Sequence, residues 1–297
     1  MHLHIVSIPA ANVAEDAPLA LERDGIFAMF EGEGDIITRA LVTLPDDMPD
    51  PVTWAAELGA GIAAQVRTGL RTNDPVLVLG GNCNALVGVL AGFEGAFGAD
   101  ARIGLVWFDA HGDFNTPKTT LTGRLGGMPV AVSAGLAHSQ WRATTGLTAP
   151  IPTNRIVMVD VRNLDPKERT LIEATDVTIV AVSDDYPVVS LTDAVTRLAA
   201  ECEVIYLHVD EDILDRRFVP NHGTAEPDGP DIPTVQAAIR TVFATGKVRA
   251  LGLVSIYLAG EGSETSLSSA RELLTESIHV WRTVPHAVDT LMSHNDT

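Results

Sequence analysis

Residues 102–117 read RIGLVWFDAHGDFNTP, a β-branched and aromatic run that ends abruptly in three titratable residues spaced two apart, Asp109, His111 and Asp113. In an extended chain successive side chains alternate sides, so these three project in one direction. The run before them is apolar on both faces, which predicts a strand covered above and below by helices, as in a parallel sheet. Two carboxylates and an imidazole leaving such a strand form either an ordinary polar exit into a loop or a metal site.

Working outward, runs of the same kind lie at 3–8, 38–44, 76–80, 155–160, 177–182, 204–209 and 249–256. Helical patterns separate them. Residues 53–72 carry apolar positions at three and four spacing, and 82–97 open on Asn82 as a cap. Residues 166–175 start at Pro166, 231–245 pair an Asp231 cap with Pro233 in the first turn, and 191–202 and 264–282 complete the set. Strand and helix alternate throughout, which predicts one domain over residues 1–297, a three-layer α/β/α fold on a mostly parallel eight-stranded sheet. The last dozen residues are expected to form a loose tail. Ligands of such sheets bind beyond the carboxyl ends of the strands. Polar residues gather at those ends: Gly80 to Asn84, Asp109 to Asn115, Arg162 to Asp165, His208 to Asp212, and Ser255 with Tyr257.

The bulk numbers exclude several classes. With 20 Lys+Arg against 39 Asp+Glu the net charge is -19, which repels nucleic acid and anionic membrane surfaces. The two cysteines, Cys83 and Cys202, are too few for a disulfide scaffold and fit a reducing compartment. The N-terminus lacks a basic region followed by an apolar one, and no apolar run reaches membrane-spanning length, so a cytoplasmic location is expected. No G-x-S-x-G elbow and no phosphate-binding G-x-x-x-x-G-K-[ST] loop occurs.

The strand end at His208 and Asp210 repeats the two-apart spacing of Asp109, His111 and Asp113. Together they offer oxygen and imidazole donors suited to Mn²⁺ or another divalent ion, one or two in number. A cation would also offset the repulsion between clustered carboxylates. The strings DAHGDFNTP at 109–117, LTGRLGGMP at 121–129, VRNLDPKE at 161–168 and HVDEDILDRRFVPNHGTAEPDG at 208–229 resemble, in order and spacing, the arginase or ureohydrolase family. That resemblance implies an arginase-like α/β domain assembled as a trimer or hexamer. It also implies a binuclear Mn²⁺ centre that activates hydroxide against the carbon of a small-molecule guanidino substrate.

Carried over by residue, the resemblance makes Asp109 a bridge between two metals, with His111 on one ion, Asp113 on the other and Asp210 a further ligand. Asp113 also takes the proton of the attacking hydroxide. Asn115 and Thr122 match positions that hold an amino-acid α-carboxylate, Arg124 adds a cation there, and Asp165 matches the acceptor of an α-ammonium. Four positions depart from the family. Cys83 stands at a metal-binding His, His208 at a second bridging Asp, Gly126 at a proton-shuttling His, and Ser255 at a Glu that pairs with the guanidinium. His222, on the loop after the last of these strings, is the candidate to replace the shuttle. An N-hydroxyguanidine is less basic than a guanidine and does not need the carboxylate lost at Ser255. Cys83 and Ser255 together thus resemble the Nω-hydroxy-L-arginine amidinohydrolase type. A non-catalytic ligand-binding protein and a hydrolase of ureido or formimino compounds are the other readings.

Overall fold

The computed structural model describes residues 2–9, 17–30, 35–46, 50–182 and 190–284. The opening run forms β4 (Ile103–Phe108), and the other seven become β1 (His2–Ile8), β2 (Ile36–Leu41), β3 (Val76–Gly80), β5 (Ile156–Val159), β6 (Thr178–Val180), β7 (Val204–Asp210) and β8 (Val248–Val254). The sheet order is β2-β1-β3-β8-β7-β4-β5-β6, and every neighbouring pair is parallel.

Burial on both faces follows the two-residue period of the strands. Leu105 and Trp107 of β4 point into a core shared with α2 (Pro51–Arg71), α3 (Ala85–Phe97), α4 (Pro129–Ser133) and α5 (Ser139–Thr145). Val106 and Phe108 point the other way, into a core shared with α1 (Ala17–Arg23), α7 (Leu191–Glu201), α8 (Ile232–Phe243) and α9 (Ser263–Thr283). The sheet is therefore the middle of three layers, and its exits meet at one edge. A further helix, α6 (Pro166–Glu173), follows β5 and packs Ile172 into the first core.

Two helix starts show how local chemistry fixes boundaries. Asp231 caps α8, accepting the Thr234 amide at 3.0 Å with Pro233 in the first turn, as the sequence predicts. Asn82 does not cap α3. Its side chain accepts the Asn84 amide at 3.0 Å in the turn before the helix, and Asn84 is the capping residue. The intervening turn needs glycine: Gly80 and Gly81 take φ of 84° and 69°, and a Cβ at Gly80 would sit 2.6 Å from the Ile8 carbonyl. Helices α1, α4 and α5 span at most two turns and left no readable period. The expected tail, 286–297, lies outside the described residues.

One close approach in the central sheet is testable. A Cβ on Gly252 of β8 would lie 2.2 Å from the Tyr206 hydroxyl and 3.1 Å from its ring carbon. Gly252→Ala is expected to lower unfolding free energy by about 1–3 kcal/mol in denaturant titration. Tyr206→Phe in the same chain should recover part of that loss, so the two substitutions are expected to be non-additive.

Candidate metal centre and active site

The register between β4 and β7 builds the site. Trp107 pairs with His208 and Phe108 with Val209, so Asp109 and Asp210 leave the two strands side by side. The indole of Trp107 stacks on the His208 imidazole at 3.9 Å between centroids and 5° between planes. His208 is fully buried, its Nδ1 is 2.9 Å from the Tyr206 hydroxyl, and burial lowers its pKa to about 3. The expectation that His208 ligates a metal is therefore corrected. It belongs to the apolar floor beneath the carboxylates, and the acidic pair at this strand exit is Asp210, the last residue of β7, with Asp212 in the turn after it.

Three donor groups converge above that floor, each with its donor atoms within 4.8 Å of one another: Cys83 with Asp109 and Asp113; Asp109 with His111 and Asp212; and Asp210 with Asp212 and His222. His111 Nδ1 lies 3.2 Å from Asp109 Oδ1 and 3.2 Å from Asp212 Oδ2. Cys83 Sγ is 2.8 Å from Asp210 Oδ2 and 3.5 Å from Asp109 Oδ2, so it spans both strand ends. Ser255, at the exit of β8, donates to Asp210 Oδ2 at 2.5 Å. Asp113 and Ser255 both hold left-handed backbones, with φ of 45° and 62°. Such conformations cost energy for a side-chain-bearing residue and persist where the surroundings enforce them.

The four aspartates are nearly inaccessible, between 1% and 7% exposed. Burial first, and neighbouring carboxylates second, push Asp109 well above the usual carboxylate range, and burial does the same to Asp113. Burial would lower His111, but hydrogen bonds to Asp109 and Asp212 drive it up to about 12. Burial would likewise raise Asp210, yet His222 and the Asp212 amide hold it low. Burial and the surrounding acids keep the Cys83 thiol protonated. The donor set of hard oxygens with imidazole nitrogen fits Mn²⁺, Zn²⁺ or a similar divalent cation, which would relieve this crowding of negative charge.

A cavity of about 360 Å³ opens above these groups, within the range of small-ligand clefts. Asn115, Thr122, Arg124 and Asp165 line its other side, so the structure gathers the expected substrate residues around the same space. Asn115 Nδ2 donates to Asp165 Oδ2 at 3.2 Å, and the Leu121 amide donates to the same oxygen at 3.1 Å. Glu168, absent from the sequence reading, ties the two loops together by accepting the Phe114 amide at 2.8 Å and the Asp165 amide at 3.2 Å. Gly126 also faces the cavity, and a Cβ there would meet nothing within 4 Å. Asp212, His222, Thr224 and Tyr257 are also part of the wall. Asp212 was legible as the second half of the D-x-D string at 210–212. The overlapping H-x-D at 208–210 masked it, and only the β4–β7 register separates the two.

The architecture and site define a class, an α/β protein with a carboxylate-rich metal centre at the carboxyl edge of a parallel sheet. Comparison with known proteins makes the class specific: the arginase family matches residues 21–278, and the chain belongs to that family. An arginase from Entamoeba histolytica is 27% identical over 257 residues, 82% of this chain and 83% of that protein. An arginase from Bacillus subtilis is 28% identical over 182 residues, a match spanning 61% of this chain and only 60% of that protein. These relatives place the chain with hydrolases of the ureohydrolase type. The fold is that of the Entamoeba histolytica arginase crystallised with L-ornithine, with a TM-score of 0.82 at 21% identity over 93% of this chain and 98% of that one. It is also that of Bacillus subtilis formimidoylglutamase, with a TM-score of 0.74 at 13% identity over 96% and 88% of the two chains.

The pKa directions fix how the metal-free chain responds to pH. Asp109, Asp113 and His111 are all raised, so the folded chain keeps protons that the unfolded chain releases, and stability falls as pH rises above roughly 4. Asp210, held low, and His208, lowered by burial to about 3, act in the opposite sense, Asp210 below about the ordinary carboxylate range and His208 up to about pH 6.5. In chelator, the melting midpoint is expected to fall from about pH 6.5 to about pH 8.5, where the raised His111 dominates. Adding Mn²⁺ should raise it, by more at the higher pH, because protons compete with the cation for these ligands. A chelated chain whose midpoint climbs over that interval would contradict the assignment.

Proposed function

We propose that the chain is a metal-dependent amidinohydrolase that cleaves a guanidino or N-hydroxyguanidino amino acid. One observation carries the reading: the donors Asp109, His111, Asp113, Asp210 and Asp212 and the amino-acid cradle of Asn115, Thr122, Arg124 and Asp165 face one cavity. Mn²⁺, as one or two ions, is the cofactor this donor set favours among common divalent metals of oxygen-rich sites. When bound, such a cation lowers the pKa of water and so makes a nucleophile available at neutral pH.

The chain's own groups supply the rest. Asn115, Thr122 and Arg124 hold the α-carboxylate, and Asp165 accepts from the α-ammonium. This end of the pocket is assigned by the family resemblance, and the ornithine held by the Entamoeba histolytica arginase agrees with an amino-acid ligand. Asp113 takes a proton from the attacking water on its carboxylate oxygen. The amidine carbon–nitrogen bond then breaks, and the amine leaves with a proton. Ser255 fills the end of the cavity with a hydroxyl already committed to Asp210, so no carboxylate from that position faces the amidine. A less basic N-hydroxyguanidine loses little by this, whereas a guanidinium loses a counter-charge. The hydroxyguanidino amino acid is therefore the favoured substrate. Assembly of the single 1–297 domain as a cytoplasmic trimer or hexamer accompanies this reading through the family resemblance.

Release of urea or hydroxyurea from arginine, agmatine, guanidinobutyrate and Nω-hydroxyarginine tests it. Turnover is expected to be greatest with Nω-hydroxyarginine, and Asp113→Asn should reduce kcat at least about 100-fold while leaving the fold intact by circular dichroism. No product from any of the four, with Mn²⁺ bound, would rule the reading out.

The space around Gly126 supports a second reading, a ligand-binding protein without turnover. Because a Cβ there meets nothing and the position faces the open cavity, Gly126→His is expected to change stability by less than about 0.5 kcal/mol. Raised turnover of plain guanidines in that variant would mark the missing proton donor as what limits them. Amino-acid binding by calorimetry with no turnover in either chain would favour the binding protein.

A further inference from the structure

We infer that His222 is a ligand of the metal centre, its Nε2 joining Asp210 and Asp212 around one divalent cation and supplying an imidazole to a centre that has Cys83 on its other side. The inference rests on the proposed metal-dependent function and goes beyond it by adding a residue with no counterpart among the ligands expected from the sequence.

Three observations carry it. First, His222 is 8% exposed, and its Nε2 is buried with no hydrogen-bond partner. Second, that nitrogen lies 3.6 Å from Asp210 Oδ1, while the ring's Nδ1 lies 3.7 Å from Asp212 Oδ2. Both separations are too long for hydrogen bonds. Two donors sharing an ion through bonds of about 2.1 Å stand roughly 3.0–3.6 Å apart, so the Nε2–Asp210 spacing fits a common cation.

Third, the neighbours of the ring select the tautomer. The Thr224 hydroxyl lies 2.9 Å from Asp212 Oδ2 and 3.1 Å from His222 Nδ1. A carboxylate only accepts, so the single hydroxyl proton goes to Asp212, and the Thr224 oxygen is left to accept from Nδ1–H. The Thr224 amide, 3.4 Å from the same nitrogen, is the longer contact. Nε2 then carries a lone pair and faces a carboxylate oxygen, an arrangement that a cation held between them stabilises. Metal-bound histidines characteristically donate their second ring N–H to an oxygen in this way. The Tyr257 ring meets the imidazole edge-to-face at 4.8 Å and restricts its rotation.

Ligation excludes the proton-shuttle role expected of His222, because the nitrogen that would carry the proton is spent on the ion. The chemistry differs in kind: a shuttle affects turnover alone, a ligand affects binding of the cation.

The experiment uses the full chain, stripped with chelator and titrated with Mn²⁺, read by pulsed electron paramagnetic resonance with ¹⁵N-histidine labelling. Wild type is expected to show Mn²⁺ coupled to two imidazoles, His111 and His222. His222→Ala should lose one of them and bind Mn²⁺ at least about tenfold more weakly, and Thr224→Val should weaken binding while keeping both couplings. A wild-type centre coupled to one imidazole overturns the inference and leaves the amidinohydrolase reading standing. So does His222→Ala with turnover lost but Mn²⁺ affinity and couplings unchanged, which would assign the shuttle instead. A wild-type chain that binds no Mn²⁺ would overturn both.

Discussion

Asp109, Asp113, Asp210 and Asp212 meet at the carboxyl edge of a parallel sheet, at most 7% exposed, and the surrounding structure is arranged to keep them there. Like charges this close, out of water, repel strongly enough that protons or a cation must be held among them. The backbone concedes a left-handed conformation at Asp113. Cys83, Ser255, Thr224 and the amides of His111 and Asp212 each donate to one of the carboxylates. Without a cation the site is a store of unfavourable electrostatics, which a bound divalent cation would relieve.

The floor of this site is apolar. Trp107 and His208 stack directly beneath Asp109 and Asp210, two residues back along β4 and β7. That packing denies water to the carboxylates from below and leaves approach open only from the cavity. It also explains why a histidine at the expected spacing is not a ligand. The strand alternation aims His208 at the same layer as the aspartates but two residues deeper, among Tyr206 and Trp107.

Departures from the family's expected residues follow a pattern. Gly126 and Ser255 bring no charged group to the cavity wall, while Asn115, Thr122, Arg124 and Asp165 form a polar cradle on its other side. Under the proposed function this division sets specificity at the uncharged side, since discrimination comes from the contacts that differ between substrates. Glu168 holds the two loops of the cradle together from behind, and its two accepted amides make the spacing between Asn115 and Asp165 a fixed feature.

The eight strands, their parallel pairing and the edge at which polar residues collect were legible from the chain. Runs such as RIGLVWF are apolar on both faces, and burial between two helical layers is the arrangement that accounts for that. Asp109, His111 and Asp113 were legible for a similar reason, because a local period of two fixes their common direction. What the sequence could not decide was anything that depends on the offset between strands distant along the chain. The string HVDED offers two overlapping pairs at the same spacing. Only the pairing of Trp107 with His208 sets Asp210 level with Asp109 and brings Asp212 and His222 around the same point. Spacing along one strand is written in the sequence, whereas register between strands is a product of packing.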